Sequence, residues 1–379
     1  MQHLRIPVIL TAAVAAVGLT VGSAPTASAS TEDHGRGAVF VQTDGLAHNS
    51  VIAYDRTADG HLRQTATYTT GGMGAVESGA VVDPLASQGS LTLDRAHGLL
   101  FAVNGGSDTV TVFGVDGARL VRRQVLSSDG DLPVSVSVVG DLVYVLNARD
   151  GGSITGYRIE GREVQPIPGS TRALNLVPNG KPEFLQTPSQ VVVAPDGRAV
   201  VVATKTHATL MVFTLTDGRP ATLPVVTPSG TVPFALSFDR SGKLLVVDAT
   251  GYASSYTVRH DGSLALVSTA GPTGQAAACW TVLVGGTLYA ANAGSSSITA
   301  LTDHHGRLSI AAAVAATTGA GPIDVAASPD GRFVYQLTGG SGQVNEFARG
   351  ADGSLTMLAT VGTGLGAASG KPVEGIAAS

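Results

Sequence analysis

A unit of about 45 residues recurs along this chain, and that recurrence restricts the possible fold more than any other feature. The clearest copies are PSQVVVAPDGRAVVVATK from Pro188, PFALSFDRSGKLLVVDAT from Pro233 and PIDVAASPDGRFVYQLTG from Pro322. Less regular copies start at Gln88, Pro133 and Ala278, giving start-to-start intervals of 45, 55, 45, 45 and 44 residues. Each copy has the same grammar. An alternating apolar run (191–194) meets a Pro-Asp-Gly turn (195–197), a second run (199–203) ends in a short polar residue, a third (211–215) breaks at Asp217-Gly218, and a weaker fourth follows. Asp-Gly and Gly-Gly reach the positive φ of tight hairpins, so the unit is a four-stranded antiparallel sheet. No sustained 3.6-residue apolar period accompanies it, which removes an α/β reading.

Repeated four-stranded units predict an all-β propeller. Six full blades start at 88, 133, 188, 233, 278 and 322, and a seventh is split. Residues 39–43, 50–54 and 61–68 form three strands without an inner one, while PVEGIAAS (372–379) is an inner strand without partners. Joining them closes a ring of seven blades, and a closed ring leaves few strand edges to demand a second copy, so a monomer is expected.

Residues 1–29 predict a secretory leader: Arg5, the apolar run 6–21 and Ala27-Ser28-Ala29 fit charged, apolar and cleavage regions, with release near Ala29 and a propeller domain over 30–379. The one cysteine, Cys279, allows no internal disulfide and lies too far from the leader for lipid anchoring. No later stretch is apolar enough to span a membrane. Asp and Glu (28) exceed Lys and Arg (23), which argues against nucleic acid as a partner.

In this topology the inter-blade connections and the loops between second and third strands share one face, the top. Two connections there are enlarged, 71–87 (GGMGAVESGAVVDPLAS) and 168–187 (PGSTRALNLVPNGKPEFLQT), and long loops on a rigid scaffold are where binding concentrates. The third position of each inner strand predicts a ring lining the channel near this face: Ser90, Ser135, Gln190, Ala235, Trp280, Asp324 and Glu374. Ring closure makes Asp324 and Glu374 neighbours, and paired carboxylates supply general acid and base or hold a hard cation. Trp280 offers a stacking face or plugs the channel by packing. A wider ring, Thr43, Asn104, Asn147, Thr204, Asp248, Asn292 and Thr338, ends the second strands with hydrogen-bonding side chains that contact a substrate or cap turns. Lys205 and His207 follow a second strand beneath the 168–187 loop, where Lys can stabilise an oxyanion and His can shuttle protons. Motifs for zinc, phosphate loops or serine hydrolysis are absent, so the sequence names no metal and no cofactor.

The P-x-x-V-x-x-x-P-D-G-R-x-V core at 188–200 and 322–334 resembles the seven-bladed lactonase-type propellers, which include 6-phosphogluconolactonase and 3-carboxymuconate cyclase-like proteins. The resemblance implies opening of a lactone by water, or the reverse cyclisation, at the top of the channel, with a small carboxylate or lactone as ligand. Muconate-cyclising members place histidine, an arginine-histidine pair and glutamate where this chain has Gln190, Phe234-Ala235 and Ala249. Two readings follow. One is a secreted lactonase-like enzyme in which Glu374 or Asp324 activates water and Lys205 stabilises the oxyanion. The other is a non-catalytic extracellular propeller that binds a ligand or protein over its top.

Overall fold

The structure, a computed structural model, describes residues 37–379 together with Met1 and Gln2, so the expected cleavage near Ala29 lies outside the described residues. The described chain folds into seven antiparallel sheets. Blade 1 is the composite one: Gly37–Gln42, Ser50–Arg56 and Leu62–Thr69, completed on the inside by Ile376–Ala378. Val39, Phe40 and Val41 pair with Ala378, Ala377 and Ile376, and backbone bonds from Glu374 to Gln42 and from Ser379 to Ala38 extend the seam. Closure of the ring is thus made by the C-terminal segment, as the split repeat requires. Gly37 belongs there for a steric reason, since a Cβ would strike the Ser379 carbonyl.

Blades 2 to 7 begin at Leu91, Pro133, Gln190, Pro233, Ala278 and Pro322. Their second strands are almost wholly buried and their fourth strands are mostly half-buried or exposed, so hydrophobic free energy concentrates in the sheet-to-sheet contacts inside the ring. Blades 3 and 4 have broken fourth strands: Glu163–Pro166 with Arg172–Ala173, and Arg219–Pro220 with Val225–Pro228.

A tyrosine stitches several blade junctions. Tyr144, Tyr289 and Tyr335 lie fully buried in second strands, and each hydroxyl donates to a glycine carbonyl in the last hairpin turn of the next blade. The acceptors are Gly218 at 2.7 Å, Gly353 at 2.6 Å and Gly60 at 2.9 Å. These glycines have positive φ, and at Gly60 a Cβ would also collide with the Phe333 ring. The Tyr335 bond spans the junction between blades 7 and 1 and reinforces closure with a buried hydrogen bond. No described helix is long and apolar enough to cross a membrane.

Candidate functional site

Both enlarged connections emerge on the same face and pack on each other. Ser78 N–H donates to Glu183 Oε2 at 2.6 Å, and Gly79 lies against Pro182 and Phe184. The first loop then turns down into the ring. Asp83 shapes that turn by accepting from the N–H groups of Leu85, Ala86 and Ser87, a local pattern for which a short carboxylate is suited. Leu85 is consequently driven into the apolar core beside Leu132 and Val134. The Val82 carbonyl presses on Gly339, where a side chain would not fit.

This descent closes the top of the channel. Trp280 Nε1 donates to the Ser87 carbonyl at 2.7 Å, while its ring meets Phe234 edge-on at a centroid distance of 5.0 Å. Gln88 reaches across the channel and exchanges two hydrogen bonds with the Thr281 backbone, at 2.8 and 2.9 Å. The ring of Ser90, Ser135, Gln190, Ala235, Trp280, Asp324 and Glu374 is buried at all seven positions. Its predicted opening at the top is therefore corrected: residues 71–87 cover it, and the large cavity of the channel, about 1030 Å³, opens on the opposite face among the hairpin turns. Gln190 and Asp324 line that lower cavity. The indole of Trp280 is occupied as a plug and offers no free face at the top.

Beneath the loop lies an acid-rich cluster with one lysine. Lys205 opens a short 3-10 turn, Lys205–His207, with φ +49°, and only 1% of it is exposed. Its Nζ donates to the Ala86 carbonyl at 3.0 Å and to Thr187 Oγ1 at 2.8 Å, so one cation ties the ends of both long loops to blade 4. Glu77 Oε2 stands 3.6 Å from the same nitrogen. Burial pushes the Glu77 carboxyl up to about 7 even though Lys205 and the Thr187 hydroxyl pull it down. Lys205 is itself lowered by burial, with Glu77 and then Asp83 the strongest opposing charges. Asp44, Asp83, Asp324 and Glu374 are all buried and all raised, desolvation being the largest cause in each. One cation thus faces five buried carboxyl groups, and burial disfavours the charged form of each. Burial raises both Asp83 and Glu374, and the contact between them then lowers Asp83 and raises Glu374 further. Asp324 also raises Glu374, as ring closure predicts for neighbours.

Sequence reasoning missed Glu77 and Asp83. They are the only charged residues of the 71–87 loop, and acids inside a glycine-rich, otherwise apolar segment were the available signal. The expected pairing of Lys205 with Asp324 or Glu374 is replaced by Lys205 with Glu77. Asp324 accepts from the N–H groups of Gly89 and Ile376 on the lower side, and Glu374 is held by Asp83 and Ser87.

His207 lines a small top-face cavity of about 200 Å³ with Arg149, Glu183, Gln186 and Thr187. Thr187 borders this cavity and also accepts the Lys205 hydrogen bond, so a single side chain separates the cavity from Lys205. The wider ring is used locally. Asn104 donates to Thr109 and Thr111, Asn147 to Ser153, Asn292 to Ser297 and Thr299, and Asp248 accepts from Thr250. Thr43, Thr204 and Thr338 bond to Ser50, Thr209 and Gln343 in the same way. Asn104, Asn147, Asp248 and Asn292, expected to contact a substrate, thus bridge their own loops, while Asn147 Oδ1, Asp248 Oδ2 and Asn292 Oδ1 stay buried without a hydrogen-bond partner. Cys279 is buried near Lys205, and burial pushes its thiol well up, away from thiolate chemistry. Among the described residues no group of three or more His, Cys, Asp or Glu is placed to hold a metal ion.

Residues 159–279, which include Lys205, match the family model for lactonases with a seven-bladed β-propeller. Among curated protein sequences none matches. A candidate 6-phosphogluconolactonase from Bacteroides fragilis superposes with a TM-score of 0.66 at 16% identity, covering 92% of this chain and 99% of the other. The periplasmic gluconolactonase of Pseudomonas aeruginosa gives 0.63 at 20% identity, covering 86% and 96%. The model match covers about a third of the chain and marks a likeness to lactonase-type propellers, while the superpositions show the shared propeller fold.

Proposed function

We propose that the protein is an exported, lactonase-type hydrolase that opens a small cyclic ester at the Lys205–Glu77 pair, reached from the top-face cavity past Thr187. The observation that carries this reading is Glu77, a carboxyl held near neutrality 3.6 Å from a buried ammonium group. A base is most effective when its pKa lies near the working pH, and a desolvated cation stabilises developing negative charge strongly. In the reaction, Glu77 takes a proton from water as the water oxygen bonds to the lactone carbonyl carbon. Lys205 stabilises the resulting oxyanion. Collapse re-forms the carbonyl and breaks the ring C–O bond, and the proton on Glu77 passes to the departing alkoxide oxygen, leaving a hydroxy acid. Arg149 and His207 border the cavity and are placed to orient the carboxylate or hydroxyls of the substrate. The similar structures, one a gluconolactonase and one a candidate 6-phosphogluconolactonase, favour sugar-derived lactones. The leader pattern of residues 1–29 supports export.

Because Glu77 is carried by the covering loop, entry of substrate and placement of the base are coupled. The burial of both groups also favours a second reading, a non-catalytic ligand-binding propeller. A panel of aldonolactones separates the two. The hydrolase reading expects turnover that falls by about 10²–10⁴ in Glu77→Gln and in Lys205→Met. Absence of turnover, or turnover unchanged in both variants of a folded protein, contradicts it.

A further inference from the structure

We propose that the lower channel, entered from the face opposite the long loops, is a second binding site, for an uncharged polyhydroxylated small molecule such as a sugar or polyol. The cavity of about 1030 Å³ is at the upper end of the range that small-molecule pockets occupy. The Gln88–Thr281 bridge and the Trp280–Ser87 bond close its inner end, so it is a blind cup and not a through channel.

Its polar groups are placed for a ligand rich in hydroxyls. Ser237 Oγ is buried without a partner. The Thr281 hydroxyl and the Gln190 amide nitrogen, both on nine-tenths-buried side chains that line the cup, donate to no protein group among the described residues. The Gln190 carbonyl oxygen is fixed by Leu236 N–H, which aims the amide nitrogen. Phe238 supplies an apolar wall for C–H groups. Each of these is a neutral contact.

Charge selects against ions. Asp324 sits deep in the cup, where burial, the largest cause, pushes its carboxyl well above the usual carboxylate range and so disfavours a charged partner for cations. At the mouth, Arg95 spends its guanidinium on the carbonyls of Ala378 and Ala327, and Arg349 on Tyr289 and Gly285. Asp239 and Asp303 lie against each other there, and Asp303 is raised first by burial and then by Asp239. Arg240, His304 and His305 complete the mixed rim, leaving no one-signed field. The ligand class therefore differs from the carboxylate chemistry of the top face.

Calorimetric titration of the purified protein with glucose, maltose and sorbitol tests this, with gluconate and choline as anionic and cationic comparisons. At least one neutral polyol should bind saturably with a dissociation constant on the order of 1 mM or below. Ser237→Phe, which fills the cup, should abolish binding. Thr281→Val, which keeps the shape and removes one unpartnered hydroxyl, should weaken it about threefold to tenfold. Circular dichroism checks that both variants fold. The proposal is overturned if no neutral polyol binds, if gluconate or choline binds in preference, or if a bound polyol is indifferent to a folded Ser237→Phe protein.

Discussion

The two ends of the central channel are built from the same seven inner strands, yet they solve opposite problems. The upper end is sealed by residues 71–87 and packs Lys205 among Glu77, Asp83 and, farther in, Asp44 and Glu374. The lower end stays open, lined by hydroxyls and amides with one deep acid, Asp324. The difference teaches that the repeat supplies a scaffold, whereas one non-repeating loop decides where charge is desolvated and hence where chemistry at neutral pH is available.

Removing the plug should have the largest effect on this contrast. Trp280→Ala deletes the edge-on contact with Phe234 and the bond to Ser87, and should cost about 3–5 kcal/mol in urea unfolding. A loss below about 1 kcal/mol, the scale of one net hydrogen bond, would show that the indole does not hold the seal.

Next comes pH. Glu77 is raised from 4.5 in the unfolded chain to about 7 in the folded one, so the unfolded state sheds its proton first. Stability is then full below pH 4.5 as far as this group is concerned and declines as pH rises to about 7, by about 3 kcal/mol. The raised Asp44, Asp83, Asp324 and Glu374 act in the same direction. Lys205, lowered by burial, acts in the opposite sense. Thermal unfolding from pH 5 to 8 should show a falling Tm, and a rising Tm would contradict a neutral cluster. Smaller still is Gly339→Ala, whose new methyl meets the Val82 carbonyl. It should destabilise by about 1–3 kcal/mol and unseat the upper loop, leaving polyol binding in the lower cup unchanged.

The blades were legible because period-two apolar runs and glycine turns are local signals, repeated often enough to count. Ring closure was legible for the same reason, from half a blade at each end. The proximity of Asp324 and Glu374 followed from that closure. What local sequence could not convey is which groups the 71–87 loop covers. Glu77 and Asp83 sit in a segment without periodicity, and their neighbour Lys205 is more than a hundred residues away. Burial likewise reversed the expected openness of the inner ring, since a loop of small residues can descend where a polar one would leave backbone groups unpaired. The lower cup was invisible for a different reason: it is a sum over many strands, with no single motif to mark it.

Direct titration of the Glu77 carboxyl tests the central claim, using carbon-13 NMR of selectively labelled protein compared with Glu77→Gln to assign the signal. A midpoint near 7 that moves upward in Lys205→Met is the predicted result, because the ammonium group is what restrains the effect of burial. A midpoint near 4.5, unmoved by Lys205→Met, would mean that this carboxyl is solvated and unpaired, and the upper site would lose both its base and its cation.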